Sequence, residues 1–255
     1  MMLVVSTFGA FLGKRGDRFV VSLPRGGRRE YPAREVDLIL LVGSGVSVSA
    51  DAISLAVRFG IPVFFSYSSG YPYAGVLPAV STGAASTRRE QYLAFYDERG
   101  TELAKEFVRG KIVNQAAILR LAAASRGRSD PSLAGELYDA AREISRMAGE
   151  LDEISGPVEE AVPTVRSVEG RAADLYWRSI SRLIPEELGF PGRVKRGAVD
   201  VVNRLLNFGY GCLRVRTASA AFYAGLDVHA GFLHWDRFGR QSMALDLMEE
   251  FRPIT

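Results

Sequence analysis

The hydrophobic periodicity of the chain changes near residue 85, and this change constrains the fold more than any other feature. Before it, short apolar and β-branched runs are typical of strands, at residues 3–8, 18–23, 36–42 and 61–66. The first two runs are separated by Gly13 and Gly16 and are predicted to form a hairpin. A helical pattern covers residues 50–59, and residues 73–77 are predicted to close the sheet.

After residue 85 the patterns are long and helical. Apolar residues recur at helical spacing, and proline, serine and glycine mark the ends. Helices are predicted at residues 88–97, 101–123, 131–154, 163–184, 198–224 and 242–251. The sequence therefore predicts an α+β protein, with a small β-rich N-terminal domain at residues 1–85 and a larger all-α domain at residues 86–255.

One glycine-rich turn resembles a nucleotide-binding motif and is not interpreted as one. Gly43-Ser44-Gly45 follows a predicted strand and precedes a predicted helix. The third glycine of the dinucleotide fingerprint is absent, and no Lys-Ser or Lys-Thr pair follows as a P-loop requires. The segment is predicted to be a plain strand-to-helix turn.

Cysteine usage and hydropathy exclude several classes of protein. Cys212 is the only cysteine, which excludes a disulfide within the chain and argues against a cysteine-based zinc site. No segment reaches the roughly 18 uninterrupted apolar residues of a membrane span, and the N-terminus lacks the basic region of a signal peptide. We expect a cytoplasmic protein that does not bind a membrane.

Candidate chemistry begins with a histidine and two acids near the C-terminus. His234 is one of two histidines, and a lone loop histidine is usually an ordinary surface or core residue. Asp246 and Glu249 are three residues apart and share a helix face. Their apolar neighbours leave little of that helix free for solvent, so a partly buried acid pair there needs a counter-charge.

A third acid, Glu169, lies within a predicted helix next to Gly170. Glycine costs about 1 kcal/mol in a helix interior relative to alanine, which suggests a close approach to the backbone at that point. The alternative is an exposed acid balanced by its neighbours Arg166 and Arg171. A histidine with two or three carboxylates forms a mixed nitrogen and oxygen ligand set, which suits Mn²⁺ or Mg²⁺ better than zinc.

The densest basic stretch lies at residues 190–216. Arg193, Lys195 and Arg196 belong to it, and its local net charge of +5 exceeds the +3 of the whole chain. The chain holds 28 arginines and 4 lysines, and guanidinium groups bind phosphate bidentately. Aromatic and amide side chains between the basic residues suit nucleic acid. The alternatives are a solvated face and a GC-rich genome.

Several motifs, taken in order, resemble those of the CRISPR-associated adaptation integrase family. The similarity covers nearly the whole chain, and the combination is more specific than any single motif. The segments that carry it are Gly43-Ser44-Gly45-Val46-Ser47, Gly60-Ile61-Pro62-Val63, Arg88-Arg89-Glu90-Gln91-Tyr92, Glu169-Gly170-Arg171-Ala172-Ala173, Leu206-Asn207-Phe208-Gly209-Tyr210-Gly211, Gly231-Phe232-Leu233-His234 and Asp246-Leu247-Met248-Glu249-Glu250-Phe251-Arg252-Pro253.

The resemblance implies a function and a site. It implies a homodimer formed through the β-rich domain, Mn²⁺ or Mg²⁺ as cofactor, and a helical domain that cuts or joins double-stranded and branched DNA. It also implies a small second CRISPR adaptation protein as partner, and insertion of captured fragments by 3′-hydroxyl attack. The implied ligands are Glu169, His234 and Glu249, with Asp246 a further catalytic residue one turn earlier.

The same hypothesis assigns the DNA backbone to Arg166, Arg171, Arg193, Lys195 and Arg196. Many members of the family continue beyond the point that corresponds to Thr255, and Leu213-Arg214-Val215 stands where many have an aromatic followed by glycine. No catalytic tyrosine is therefore assigned. Two alternatives stay open: a transposon-encoded relative that integrates its own element, and a DNA-binding scaffold that does not catalyse a reaction.

Overall fold

The computed structural model describes residues 1–68, 72–76 and 85–255. Two compact units are present, one formed by Met1–Ser81 with Asn207–Ser219 and the other by Thr82–Leu206 with Ala220–Thr255. Strands occupy the N-terminal region and helices most of the remainder, so the predicted α+β class is confirmed. Leu77, predicted to end the closing strand, lies outside the described residues.

The first unit contains two four-stranded sheets. The strands are β1 (Met2–Val5), β2 (Phe11–Arg15), β3 (Arg18–Ser22), β4 (Arg28–Pro32), β5 (Leu38–Val42), β6 (Ser47–Val48), β7 (Val63–Ser66) and β8 (Pro72–Val76). One sheet has the order β1-β5-β7-β8, parallel except for β8; the other has the order β4-β3-β2-β6. Helix α1 (Ala50–Arg58) follows β6 within the predicted residues 50–59, and the side chain of Ser49 caps its N-terminus.

The central strand β5 is buried at all five positions. Because successive side chains of a strand point to opposite faces, Ile39 and Leu41 enter one apolar cluster, while Leu38, Leu40 and Val42 enter another. The second cluster also contains Cys212 and Val215. The segment 207–219 therefore belongs to the core of the first unit, far in sequence from the rest of it.

The predicted hairpin is wrong in its pairing. Strand β3 pairs antiparallel with β2, whereas β1 pairs with β5 in the other sheet. Strands β2 and β4 are not predicted, because their sequences are rich in polar and charged residues. Both are held by ladder hydrogen bonds to the apolar strand β3, and polar side chains are tolerated on β4 because it is an edge strand.

The second unit is helical among its described residues. It contains α2 (Ala85–Ala94), α3 (Glu98–Arg126), α4 (Pro131–Glu150), α5 (Val158–Ser181), the two ends of α6 (Val201–Tyr223), and α7 (Ser242–Met248). Buried residues of α3, α4 and α5 form one apolar core with Phe232, Leu233 and Met243. None of the helices in the described ranges is both long and apolar enough to span a bilayer.

Helix boundaries differ from the predicted ones by up to five residues, and the largest difference, at the start of α5, has a physical reason. Helix α5 begins at Val158 and contains Pro163, because the buried residues Val158 and Val162 outweigh the hydrogen bond that proline removes. Helix α7 ends at Met248, and a 3₁₀ segment, Glu249–Ile254, follows it. Helix α6 continues through Gly209 and Gly211, as predicted.

Candidate active site

A pocket of about 330 Å³ on the helical unit contains all three predicted ligands. Its walls come from α5, from the loop between α6 and α7, and from the C-terminal 3₁₀ segment. The lining residues are Arg166, Glu169, Leu233, His234, Trp235, Arg237, Arg240 and Glu249. Residues separated by up to 83 positions in sequence therefore share one concave surface that carries both carboxylates and guanidinium groups.

Asp246 anchors the loop that carries His234. Its side chain is fully buried, and its two carboxylate oxygens accept hydrogen bonds from the backbone N–H groups of Phe232, Leu233 and His234, at 2.6, 2.9 and 2.9 Å. A buried carboxylate is stable only when it is hydrogen-bonded in this way. Asp246 thus fixes the backbone of three consecutive residues at the pocket.

The same carboxylate orients the imidazole of His234. Asp246 Oδ1 lies 2.7 Å from His234 Nδ1. Since a carboxylate accepts, Nδ1 donates, and the neutral ring then presents the lone pair of Nε2. Nε2 lies 3.8 Å from Glu249 Oε1. A carboxylate behind a histidine is the usual support of a metal-binding imidazole, so the position of Asp246 is that of a supporting residue.

Gly231 allows the loop to approach α7. A Cβ at this position would lie 2.7 Å from the Cβ of Ser242 and 2.9 Å from Asp246 Oδ2. Any side chain here would push the loop away from the carboxylate that binds it. The Gly-Phe-Leu-His motif therefore has a steric reason for its first residue.

Glu249 is held against α3 by two features of that helix. A Cβ added at Gly110 would lie 2.9 Å from the Cβ of Glu250, so the glycine leaves room for the residue that follows Glu249. Asn114 donates a hydrogen bond of 2.7 Å from Nδ2 to the carbonyl oxygen of Glu250. Glu249 is buried as a result, with only 4% of its surface exposed.

The counter-charge that the acid pair requires is Lys111, from α3. Its ammonium group forms an ion pair with Glu169 and a second with Glu249 Oε2 at 2.7 Å. Burial would lower the pKa of Lys111, but the charges of Glu249 and Glu169 outweigh burial and raise it. Burial would likewise raise the pKa of Glu249, but Lys111 and Arg252 lower it. Lys111 and Glu249 each stabilise the charged form of the other.

This arrangement bears directly on metal binding. Among residues 1–68, 72–76 and 85–255, no three potential ligands lie close enough together to hold one ion as the side chains stand. The donor set nevertheless fits a hard divalent cation: two carboxylates, and an imidazole whose other nitrogen is supported by a carboxylate. Glu169 and Glu249 already share one cation, the ammonium group of Lys111.

The residues predicted to bind DNA are dispersed. Arg166 lines the pocket, and its guanidinium lies 5.8 Å from the centre of the Trp235 ring. Arg171 is exposed and pairs with Glu150. Arg193 donates to Asn203 Oδ1 at 3.0 Å. Lys195 and Arg196 are exposed in the loop that precedes α6. Of the five, only Arg166 belongs to the pocket.

Gly170, next to Glu169, has open space around it. A Cβ added there would meet no atom of the described chain within 4 Å. The close approach that the glycine suggests is therefore not made by the described residues, and the glycine has no packing explanation.

Sequence reasoning missed Lys111, Arg237 and Arg240. Lys111 interrupts a helix face whose other buried residues include Val108, Ile112 and Leu119, and a lysine on such a face was the available signal. Arg237 and Arg240 follow His234 in the loop, and only their place in the pocket distinguishes them from surface arginines.

Comparison with known proteins identifies the family. The family described as CRISPR associated protein Cas1 matches residues 3–255. A CRISPR-associated endonuclease Cas1 of Archaeoglobus fulgidus is 40% identical over 99% of this chain and 74% of its own length. A casposase bound to integration product superposes with a TM-score of 0.79 at 25% identity, over 99% of this chain and 70% of its own.

The fold also recurs in a Cas6-RT-Cas1–Cas2 complex, where 99% of this chain matches 26% of the longer one with a TM-score of 0.71 and 19% identity. The matched family spans both the strand-rich and the helical regions, including the three motif segments that contribute to the pocket, which begin at Glu169, Gly231 and Asp246. The protein is therefore a member of the Cas1 family.

Proposed function

We propose that this Cas1 family protein is a divalent-metal-dependent DNA nuclease and integrase that inserts captured DNA fragments into a CRISPR repeat array. The observation that carries the proposal is the pocket that joins Glu169, His234 and Glu249 to three arginines. Mn²⁺ or Mg²⁺ is the proposed cofactor. The endonuclease name of the 40% identical relative supports the nuclease activity, and the casposase bound to integration product supports strand transfer.

Each part of the pocket has a proposed role. Glu169, His234 and Glu249 would hold the ion, and Asp246 would position the His234 ring and its backbone. Arg166, Arg237 and Arg240 would bind the phosphates on either side of the reacting one, since guanidinium groups match phosphate oxygens. A bound divalent cation would stabilise charge on the phosphoryl oxygens and assist deprotonation of the attacking hydroxyl or water.

The reaction is a substitution at phosphorus. The 3′-hydroxyl of a fragment forms a new P–O bond to the target phosphate, and the bond from that phosphorus to the 3′-oxygen of the target strand breaks. The departing oxygen takes up a proton, so the number of phosphodiesters is unchanged. With water as the nucleophile the same pocket hydrolyses the strand.

The proposed partners are double-stranded and branched DNA, a second copy of this chain, and a small second CRISPR adaptation protein. The name of the Cas1–Cas2 complex with the same fold supports the last of these. The β-rich region is proposed to form the dimer and the helical region to bind DNA. Lys195, Arg196, Arg193 and Arg171 are proposed as further contacts to the DNA backbone.

The decisive experiment measures Mn²⁺-dependent cleavage and strand transfer on branched DNA. Glu169→Gln and His234→Ala should each lower the rate at least about 100-fold, because losing a ligand removes the ion that stabilises transition-state charge. Glu160→Gln is the matched control, an exposed glutamate near the start of the helix that carries Glu169, and it should leave the rate within about twofold. Unchanged rates in both ligand variants would overturn the proposed site.

A transposon-encoded integrase remains the second candidate within the same chemistry, favoured by the structural likeness to a casposase. The ends of the preferred DNA substrate distinguish the two: a repeat-array junction for the first, and terminal inverted repeats for the second.

A non-catalytic DNA-binding scaffold is favoured by one observation, the pairing of Lys111 with both carboxylates. Tight DNA binding by folded protein, without any metal-stimulated turnover, would support it.

A further inference from the structure

Lys111 has a bonding pattern that differs from the other buried lysine of its helix. Lys105 lies six residues earlier on α3 and is buried to a similar extent. It pairs with one exposed carboxylate, Glu102, and donates a hydrogen bond of 3.1 Å to the carbonyl oxygen of Ile154. Lys111 instead contacts two carboxylates from elements distant in sequence. Both carboxylates are proposed ligands.

Charge at the pocket explains why a cation is needed there. Glu169, Glu249 and Asp246 are three carboxylates, opposed by Lys111 and by Arg252, whose Nε lies 3.0 Å from Glu249 Oε1. Without Lys111 the two glutamates would repel each other across a partly buried site. With a divalent ion added and Lys111 retained, ammonium and metal would repel each other at short range. The two cations are therefore alternatives at these oxygens.

We propose that Lys111 is a built-in placeholder for the metal: its ammonium holds Glu169 and Glu249 together in the metal-free protein and moves off the carboxylates when a divalent cation binds. The inference rests on the proposed function of the same pocket. It gives the metal-free fold a stable, preorganised ligand pair, and it makes metal affinity a competition between the ion and a lysine of the chain itself.

The first test is calorimetric titration of metal-free protein with Mn²⁺, together with thermal unfolding. Lys111→Met keeps the aliphatic length and removes the charge. We expect the variant to melt at a lower temperature than wild type without metal and to bind Mn²⁺ at least about 10-fold more tightly, because no ammonium must be displaced. Saturating Mn²⁺ should raise its melting temperature more than that of wild type.

Lys105→Met is the matched control. It removes a buried lysine from the same helix and should lower the melting temperature, but its Mn²⁺ affinity should equal that of wild type. Equal or weaker Mn²⁺ binding by Lys111→Met than by wild type would overturn the placeholder role while leaving the metal site intact. Absence of Mn²⁺ binding in both proteins would overturn the proposed metal site and the placeholder role together.

A second measurement follows the lysine in the wild-type protein, in case Lys111→Met does not fold. The chain has four lysines, so their side-chain ¹³Cε and ¹⁵Nζ resonances can be resolved by NMR. Lys14→Arg, Lys105→Met and Lys195→Arg assign Lys111 by elimination. Titration with diamagnetic Mg²⁺ should shift the Lys111 resonances and leave those of Lys105 in place. Mg²⁺ binding that leaves the Lys111 resonances unchanged would overturn the inference.

Discussion

The floor and the rim of the pocket hold their charges in opposite ways. The floor, defined as the lining residue Glu249 with Lys111 and Asp246 behind the lining, is buried, and each charged group there has several partners. The rim, formed by Arg166, Arg237 and Arg240, is half-buried or exposed. A buried charged group needs fixed partners to offset the free energy of desolvation. A solvated charged group contributes little to stability through its ion pairs, so it can change partners at small cost. The floor is therefore part of the folded core, whereas the rim lies at the solvent-accessible surface of the pocket.

The difference predicts that substitutions at the floor change stability first and those at the rim change DNA binding first. Three substitutions test this difference most directly: one of a floor residue, Asp246, one of the glycine beside it in the loop, Gly231, and one of a rim arginine, Arg166. Each has a matched position elsewhere in the same unit.

Asp246→Asn should have the largest effect. The amide keeps the volume but replaces one acceptor oxygen by a donor, which faces backbone N–H groups that then lose their partner. We expect a loss of about 2–4 kcal/mol in the free energy of unfolding by urea denaturation. Mn²⁺ affinity should also fall about 10- to 100-fold, because the His234 ring loses its support.

Asp174→Asn, at an exposed residue of α5 that pairs with Arg178 on the surface, is the control and should change the unfolding free energy by less than about 0.5 kcal/mol. A stability of Asp246→Asn equal to that of the control would contradict the anchoring role and remove the distinction between floor and rim.

Gly231→Ala should have the next largest effect, and Gly170→Ala should have the opposite sign. The added methyl at 231 meets Ser242 and Asp246, and we expect a cost of about 1–3 kcal/mol. The methyl at 170 meets no described atom, and replacing a helical glycine should stabilise the fold by up to about 1 kcal/mol. The melting temperatures of both variants, compared with that of the wild type, check these two expectations.

Gly170→Ala also tests whether a ligand approaches the backbone beside Glu169. Weaker binding to branched DNA by a variant of normal stability would show that the ligand makes the close approach. Unchanged binding would show that the glycine is not required by the DNA.

Arg166→Ala and Arg171→Ala should have the smallest effects on stability and differ in binding. Arg166 lines the pocket, whereas Arg171 is exposed and partly neutralised by Glu150. We expect Arg166→Ala to weaken DNA binding about 10-fold and to reduce the steepness of its salt dependence. Arg171→Ala should weaken binding less than about threefold, as measured by fluorescence anisotropy at several salt concentrations. Equal losses would mean that the rim is not distinguished from the surrounding basic surface.

Prediction from the sequence was strongest where the information is local. The helical periodicity after residue 85 predicted α3, α4 and α6 closely, and the buried run at β5 was identified as a strand. Prediction failed for β2 and β4. These segments contain many polar residues, and they form strands because β3 supplies their hydrogen-bond partners. Pairing between strands depends on a partner elsewhere in the chain, and periodicity within one segment does not contain that information.

In the candidate site, too, the features that depend on local sequence could be predicted and those that depend on distant residues could not. The shared helix face of Asp246 and Glu249, and the need for a counter-charge beside them, follow from spacing and apolar neighbours. Which acid would bind an ion does not follow from spacing, since it permits either. In the structure the two acids have different surroundings. Asp246 accepts hydrogen bonds from the backbone N–H groups of residues 232–234, whereas Glu249 lines the pocket.

The sequence by itself determined the α+β class, most of the helices, and a short set of residues capable of metal and phosphate chemistry. Only the tertiary structure decided that Lys111 supplies the counter-charge, from positions 58 and 138 residues away from its two partners. It also decided that the rim is built by Arg237 and Arg240, and that residues 207–219 join the N-terminal core. Periodicity and capping act over a few residues, whereas ion pairs and cavities arise between segments that become neighbours only when the core is packed.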